Sequence, residues 1–89
     1  MKYELYYDQL SAAEGVRVIL EEIGLPYELI PSSKDRSRPR PAKQLLINPN
    51  GWLPVLSWGG QGMYECAAVV IFLCDQHPDA KLAPLPNDP

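Results

Sequence analysis

Residues 3–30 read YELYYDQLSAAEGVRVILEEIGLPYELI, and their hydrophobic period changes twice. Over residues 2–8 apolar and polar side chains alternate, which predicts a strand. Over residues 11–23 the apolar side chains follow helical spacing, and Gly24 is a common helix stop. Residues 27–30 then read as a second strand. The order of strand, helix and strand predicts an α/β fold.

Ser11 stands at the start of the predicted helix, with Glu14 three residues later. This spacing is typical of a capping box, in which each of the two side chains bonds the other residue's backbone N–H. The pattern therefore predicts that the helix starts at Ser11.

The rest of the chain predicts a loop, a short helix, a hairpin and a final helix. Proline, serine and basic residues over 31–41 indicate an exposed loop, and 42–47 reads as one or two helical turns. After the turn at 48–51, two short apolar segments predict a hairpin. The strands fall at 53–58 and 61–64, around Gly59-Gly60, and residues 67–74 follow. This last segment suits either a buried strand or a helix, and its place after a hairpin favours the helix.

The composition argues against several classes of function. With 89 residues the chain forms one small domain, and its net charge of -3 gives no general attraction to nucleic acid or anionic membranes. The basic run over residues 34–43 has no interleaved aromatic residue to stack bases. The longest apolar stretch, residues 67–74, is far short of the roughly 20 residues that cross a bilayer, so we expect a cytoplasmic protein without membrane contact. A single histidine and two cysteines without a CxxC pair give no metal site.

Four strings in order give the chain a family resemblance. They are LYY at 5–7, VRVILEEIGLPYELI at 16–30, NPNGWLPVL at 48–56 and YECAAVVIFL at 64–73. Together they resemble the N-terminal domain of the glutathione S-transferases. The resemblance implies a thioredoxin-like α/β fold of order βαβαββα, with a mixed four-stranded sheet and helices on both faces.

The resemblance also implies a domain plan and partners. Residues 1–81 would be the glutathione-binding domain, and residues 82–89 the start of a linker to an all-helical C-terminal domain. Glutathione would be the co-substrate without a metal, a hydrophobic electrophile the second substrate, and the full-length protein a homodimer.

Two segments would hold glutathione if the family pattern applies. The resemblance implies a cis peptide bond at Leu53-Pro54, with the Leu53 backbone pairing with the cysteinyl part of the ligand. Glu65 would take the ligand's ammonium group, and Cys66 would offer its backbone N–H to the γ-glutamyl carboxylate. Cysteine replaces the family's usual serine at position 66, and a thiol is a weaker hydrogen-bond donor.

The residue that activates the thiol lies in this family at or just after the first strand, where Tyr6, Tyr7 and Ser11 are available. The alignment of SAAEGVRVIL with zeta-like patterns favours Ser11, at a helix start where the positive dipole end stabilises a thiolate. Tyr7 is the alternative donor, although its place in the strand also suits core packing.

The glycine end of the ligand has less obvious partners. Trp52 occupies a position where the family often has Lys or Gln, and its indole N–H supplies no charge. Arg40 or Lys43, from the basic run, would have to reach over to the glycine carboxylate. An ordinary solvated loop explains the same run.

Two other functions remain open from the residues alone. The departures at Trp52 and Cys66 suit a non-catalytic, transferase-like module for protein association. The position of Cys66 at a helix start also suits glutathione-dependent thiol exchange, because such a position lowers a thiol's pKa.

Overall fold

The computed structural model describes residues 2–35 and 37–82, and within them the elements follow the predicted order βαβαββα. They are β1 (Tyr3–Tyr7), α1 (Ala13–Ile23), β2 (Tyr27–Pro31), α2 (Ala42–Ile47), β3 (Val55–Trp58), β4 (Gln61–Tyr64), α3 (Cys66–Gln76) and a short 3-10 helix, Pro78–Ala80. The ambiguous segment at 67–74 is helical, as its context indicated. The linker predicted at 82–89 lies outside the described residues except for Leu82.

The strands form one mixed sheet in the order β2-β1-β3-β4. Strand β1 pairs in parallel with β2, placing Tyr7 opposite Pro31, and antiparallel with β3. Since parallel strands end at the same edge of a sheet, the segments that follow Tyr7 and Pro31 must lie side by side. The candidate site described below lies at this edge.

Helices cover both faces of the sheet, as the resemblance implied. One face carries α1 and α3 and forms the main core, whose fully buried side chains are Tyr3, Leu5, Ala13, Val16, Leu20, Leu56, Val69 and Leu73. The opposite face holds Tyr6, which is 2% exposed, in a cavity with Lys43 and Ile47 of α2. Both faces of strand β1 are therefore covered by helices, although the alternation of its sequence makes one of these faces largely polar.

The predicted capping box is wrong. Helix α1 begins at Ala13, and Ser11 Oγ accepts a hydrogen bond from the Ala13 N–H at 3.2 Å. The Glu14 carboxylate instead accepts a hydrogen bond from the Tyr7 hydroxyl. The sequence has the Ser-x-x-Glu spacing of a capping box, but the Tyr7 hydroxyl takes the Glu14 carboxylate as its acceptor. A pattern of residues 11–14 does not include Tyr7.

Candidate functional site

Two adjoining cavities form a groove along the loop that precedes β3. The first has a volume of about 290 Å³ and is lined by Ala12, Asn48, Trp52, Leu53, Pro54, Glu65 and Cys66. The second has a volume of about 250 Å³ and is lined by Leu10, Ser11, Ala12, Lys34, Gly51, Trp52 and Leu53. Because they share Ala12, Trp52 and Leu53, we call them together the Leu53 groove, with a Cys66 end and a Lys34 end. Small-molecule sites usually occupy about 300–1,000 Å³, and the two cavities taken together fall within this range.

The groove brings together most of the predicted binding residues. The Leu53-Pro54 peptide bond is cis, as the resemblance implied. Both residues line the same cavity as Glu65 and Cys66, which come from the start of α3. Trp52, 55% exposed, borders both cavities.

Two buried amide side chains fix the loop that carries Leu53. Asn48, 2% exposed, donates from Nδ2 to the Trp52 carbonyl at 3.1 Å. Gln44, fully buried, donates from Nε2 to the Gly51 carbonyl at 3.2 Å and accepts a hydrogen bond from the Ser32 hydroxyl. Since buried polar groups are costly to leave unpaired, these bonds hold the loop in one conformation.

The sequence reading missed both amides as parts of the site. The sequence predicts Asn48 as part of the turn at 48–51. Its position just before the loop that carries Leu53 is the signal that could have identified it as a site residue. Gln44 carries no such signal, because its partners are seven and twelve residues away in the chain.

The start of α3 presents backbone donors to the Cys66 end. The first helical bond runs from the Val69 N–H to the Glu65 carbonyl at 2.9 Å, so the N–H groups before Val69 precede the regular helical bonding. Such groups, with the positive end of the helix dipole, suit a carboxylate. Glu65 itself has a φ of 79°, a backbone conformation that residues other than glycine rarely adopt. Strained residues of this kind often occur at binding sites.

Ser11 lines the Lys34 end, but its hydroxyl hydrogen is already engaged. Ser11 Oγ donates to the Asp8 carbonyl at 2.7 Å and accepts from the Ala13 N–H. A ligand thiolate would have to draw this hydrogen away from Asp8. The carbonyl of the Asp8 turn therefore competes with a ligand for this hydrogen.

Lys34 is a second groove residue that the sequence reading missed. Its backbone N–H donates to the Asp8 carboxylate at 2.9 Å, and its ammonium donates to the Gln9 carbonyl at 2.9 Å. The parallel pairing of β1 and β2 gives the signal that could have found it, because the segment after β2 must run beside the segment after β1.

Tyr7 lies outside the residues that line the groove. Its hydroxyl donates to the Glu14 carboxylate and accepts from the Arg17 guanidinium at 3.2 Å, and that guanidinium also lies 5.3 Å from the Tyr7 ring centroid. The hydrogen bond to Glu14 is the main cause that raises the pKa of the Tyr7 hydroxyl, with desolvation second. A raised pKa keeps the phenol protonated, but the phenol donates this proton in a hydrogen bond to Glu14 and not towards the groove.

The two basic residues predicted for the glycine end lie elsewhere. Lys43 lines a separate cavity of about 260 Å³ with Glu4, Tyr6 and Ser57. Arg40 donates from Nε to the Ser33 carbonyl at 3.1 Å. Its Cδ atom would lie 3.2 Å from a Cβ added at Gly51, so its side chain packs beside the loop without lining the groove.

The fold is that of a thioredoxin-like domain, with the Leu53 groove as a candidate ligand site at the sheet edge. The family described as Glutathione S-transferase, N-terminal domain, matches residues 5–81. The chain belongs to this family.

Relatives support the same assignment. Glutathione S-transferase-like protein gedE of Aspergillus terreus is 36% identical over 75 residues, which cover 82% of this chain and 32% of the relative. Glutathione S-transferase Z2 of Arabidopsis thaliana is 33% identical over 84 residues, or 93% of this chain and 38% of the relative. The chain thus spans well under half the length of these relatives.

Solved structures agree with the fold. A glutathione transferase homolog from Sulfitobacter with bound glutathione superposes with a TM-score of 0.80 at 26% identity, covering 99% of this chain and 42% of the other. A glutathione S-transferase of Methylobacterium radiotolerans in complex with glutathione sulfonate has a TM-score of 0.78 at 34% identity, covering 100% of this chain and 41% of the other.

Neither a membrane-crossing helix nor a cluster of metal ligands occurs among the described residues. In residues 2–35 and 37–82, no helix has the length and apolar character to cross a membrane. The same residues contain no group of three His, Cys, Asp or Glu side chains arranged to hold a metal ion.

Proposed function

We propose that the chain is the glutathione-binding domain of a glutathione S-transferase and that the Leu53 groove binds glutathione. The observation that carries the proposal is that Leu53, Glu65 and Cys66, from two separate segments, line one cavity. The ligands named for the two structural relatives, glutathione and glutathione sulfonate, support the same ligand class.

The groove suggests one orientation for the tripeptide. The γ-glutamyl end lies at the Cys66 end, where α3 offers backbone N–H groups to its carboxylate and Glu65 accepts from its ammonium. The cysteinyl part pairs with the Leu53 backbone, as an added strand would. The thiol then lies near Ser11, and the glycine end near Trp52. Arg40, beside Gly51, and Lys43, in a separate cavity, do not line the groove and would have to move to reach that carboxylate.

In the full-length protein we propose the transferase reaction. The bound thiolate attacks an electrophilic carbon of a hydrophobic substrate and forms a carbon–sulfur bond. Either a leaving group departs from that carbon as an anion, or the thiolate adds to a double bond whose other end takes a proton from water. Ser11 stabilises the thiolate by turning its hydroxyl hydrogen from Asp8 to the sulfur, and Tyr7 is the weaker candidate. Residues 82–89 would lead to an all-helical domain, with a homodimer in the cytosol as the working form.

Calorimetry with reduced glutathione tests the binding proposal on the 89-residue chain. We expect saturable binding that Glu65→Gln weakens, because the variant loses the charge that pairs with the ligand's ammonium. Glu28→Gln is the matched control, since Glu28 is an exposed acid that pairs with Lys2 away from the groove. Absence of saturation at millimolar glutathione contradicts the proposal and favours a non-catalytic module.

Cys66 supports a second candidate function, glutathione-dependent thiol exchange. Its half-buried thiol lines the Cys66 end of the groove. The Cys66 thiolate would attack one sulfur of oxidised glutathione, form a protein–glutathione disulfide and release the other half as reduced glutathione.

Mass spectrometry after treatment with oxidised glutathione tests this second function. Cys74, on the same helix but not among the groove residues, is the matched internal control. The candidate predicts modification of Cys66 in the wild type and in Cys74→Ser, and its loss in Cys66→Ser. Equal modification of both thiols contradicts it.

A further inference from the structure

The groove contains a cation that the sequence reading did not assign to the site. We infer that Lys34 stabilises the thiolate of glutathione in the Leu53 groove, an inference that rests on the proposed function. Among the described residues that line the groove, Lys34 is the one cation and Glu65 the one anion. They line different cavities of the groove, and only the Lys34 cavity includes Ser11.

Two hydrogen bonds attach Lys34 to the turn that carries Ser11, and a third holds Ser11 within that turn. The Lys34 N–H bonds the Asp8 carboxylate, the Lys34 ammonium bonds the Gln9 carbonyl, and the Ser11 hydroxyl bonds the Asp8 carbonyl. The loop after β2 and the turn after β1 thus form one unit. This unit holds the ammonium next to the turn that the thiol is proposed to face.

The hydrogen bonding of Ser11 limits what the serine alone contributes to a bound thiolate. The serine hydroxyl hydrogen is used by Asp8, so donation to sulfur costs an existing bond. An ammonium has three N–H bonds, and the Gln9 carbonyl takes one. Lys34 can therefore keep its anchor and still donate to sulfur.

The neighbouring charges leave this role to Lys34. Two carboxylates belong to this unit: that of Asp8 accepts from the Lys34 backbone N–H, and that of Asp35 bonds Ser37 and pairs with Arg38. Arg17 is engaged by Tyr7 and Glu14 outside the groove, and Lys43 lines another cavity. An opposite charge within about 4–6 Å lowers the pKa of an acid by about 1–3 units, and the exposure of Lys34 places its effect at the low end.

The pKa of the bound thiol is the direct test. The ultraviolet absorbance of the thiolate is followed through a pH titration of the glutathione complex of the 89-residue chain. We expect Lys34→Gln to raise the bound thiol's pKa by about one unit. Lys34→Arg should stay close to the wild type, because it keeps the charge. Lys2→Gln should leave the thiol pKa unchanged, because Lys2 lies at the opposite end of β1 and pairs with Glu28.

The outcomes separate this inference from the proposed function. If the wild type does not bind glutathione, the proposed function fails and the inference fails with it. If the wild type binds and Lys34→Gln leaves the thiol pKa unchanged, only the inference is overturned. Should Lys34→Gln unfold the chain, titration of the wild type in low and high salt decides. A thiol pKa that rises with salt supports the role of the charge, and a constant one overturns it.

Discussion

The Tyr7 hydroxyl donates a hydrogen bond to the Glu14 carboxylate, and neither residue lines the Leu53 groove. This pairing links the end of β1 to the first turn of α1. It also commits the phenol, which the family resemblance made a candidate for thiol activation, to a partner outside the groove. Ser11, four residues later, does line the groove.

We therefore predict different effects for the two conservative variants. Tyr7→Phe should leave the glutathione affinity and the pKa of the bound thiol as in the wild type. Ser11→Ala should raise the thiol pKa and lower the free energy of unfolding by about 0.5–2 kcal/mol, because it removes the acceptor for the Ala13 N–H. Thiolate absorbance and urea unfolding measure the two effects. If only Tyr7→Phe raised the thiol pKa, Tyr7 and not Ser11 would be the residue that activates the thiol.

Glu65 should show a conflict between stability and binding. Its φ of 79° is unfavourable for a side chain, so Glu65→Gly should raise the free energy of unfolding by about 1 kcal/mol. The same change removes the carboxylate and should weaken glutathione binding. Urea unfolding and calorimetry on one preparation measure both quantities. Glu65→Ala is the control, since it loses the carboxylate but keeps the backbone strain. A less stable Glu65→Gly variant would contradict this account.

Gly62 on β4 provides the space for Ile47 of α2. An added Cβ would lie 2.7 Å from Ile47 Cδ1 and 2.8 Å from Cγ1, so Gly62→Ala forces the whole side chain to move. We expect a loss of about 1–3 kcal/mol of unfolding free energy. In an Ile47→Ala background the same change should cost little, and a double-mutant cycle measures the coupling. Equal costs in both backgrounds would show that Ile47 does not limit position 62.

Tyr3 should make the fold sensitive to alkali. Burial raises the pKa of its hydroxyl above the ordinary 10.0, so the folded state keeps a proton that the unfolded state loses first. Stability is therefore unaffected below pH 10.0 and falls as the pH rises above it towards the folded-state pKa. Urea unfolding across this range should show a shallower decline in Tyr3→Phe. The variant should also be less stable at neutral pH, because it loses the 2.8 Å hydrogen bond to His77. Parallel declines would contradict the prediction.

The order of elements could be predicted because each element depends on local hydrophobic periodicity and on the glycine and proline residues that end helices and strands. Alternation in β1, helical spacing in α1 and the turn before β3 are properties of neighbouring residues. Residues 67–74 needed the context of the preceding hairpin, since a uniformly apolar run has no distinctive period. The parts that failed depend on distant partners. The Glu14 carboxylate accepts from the Tyr7 hydroxyl rather than from the Ser11 backbone N–H. Tyr6 is buried because α2 covers the second face of the sheet.

The candidate site could be predicted only in part, for a similar reason. Leu53, Pro54, Glu65 and Cys66 belong to strings that carry the family resemblance, and they line one cavity. Arg40 and Lys43 are predicted from their charge within a basic run, and charge alone does not indicate which loop residues line the groove. Arg40 packs beside Gly51 and Lys43 lines another cavity. Lys34, in the same run, comes soon after β2, and the parallel pairing with β1 brings it to the groove.

An amide chemical-shift titration of the 89-residue chain with reduced glutathione tests the central claim most directly. Our account predicts saturable shifts that are largest at Leu53, Glu65, Cys66 and Ser11, on both sides of the one groove. Shifts confined to the cavity around Lys43, or none at millimolar glutathione, would contradict it.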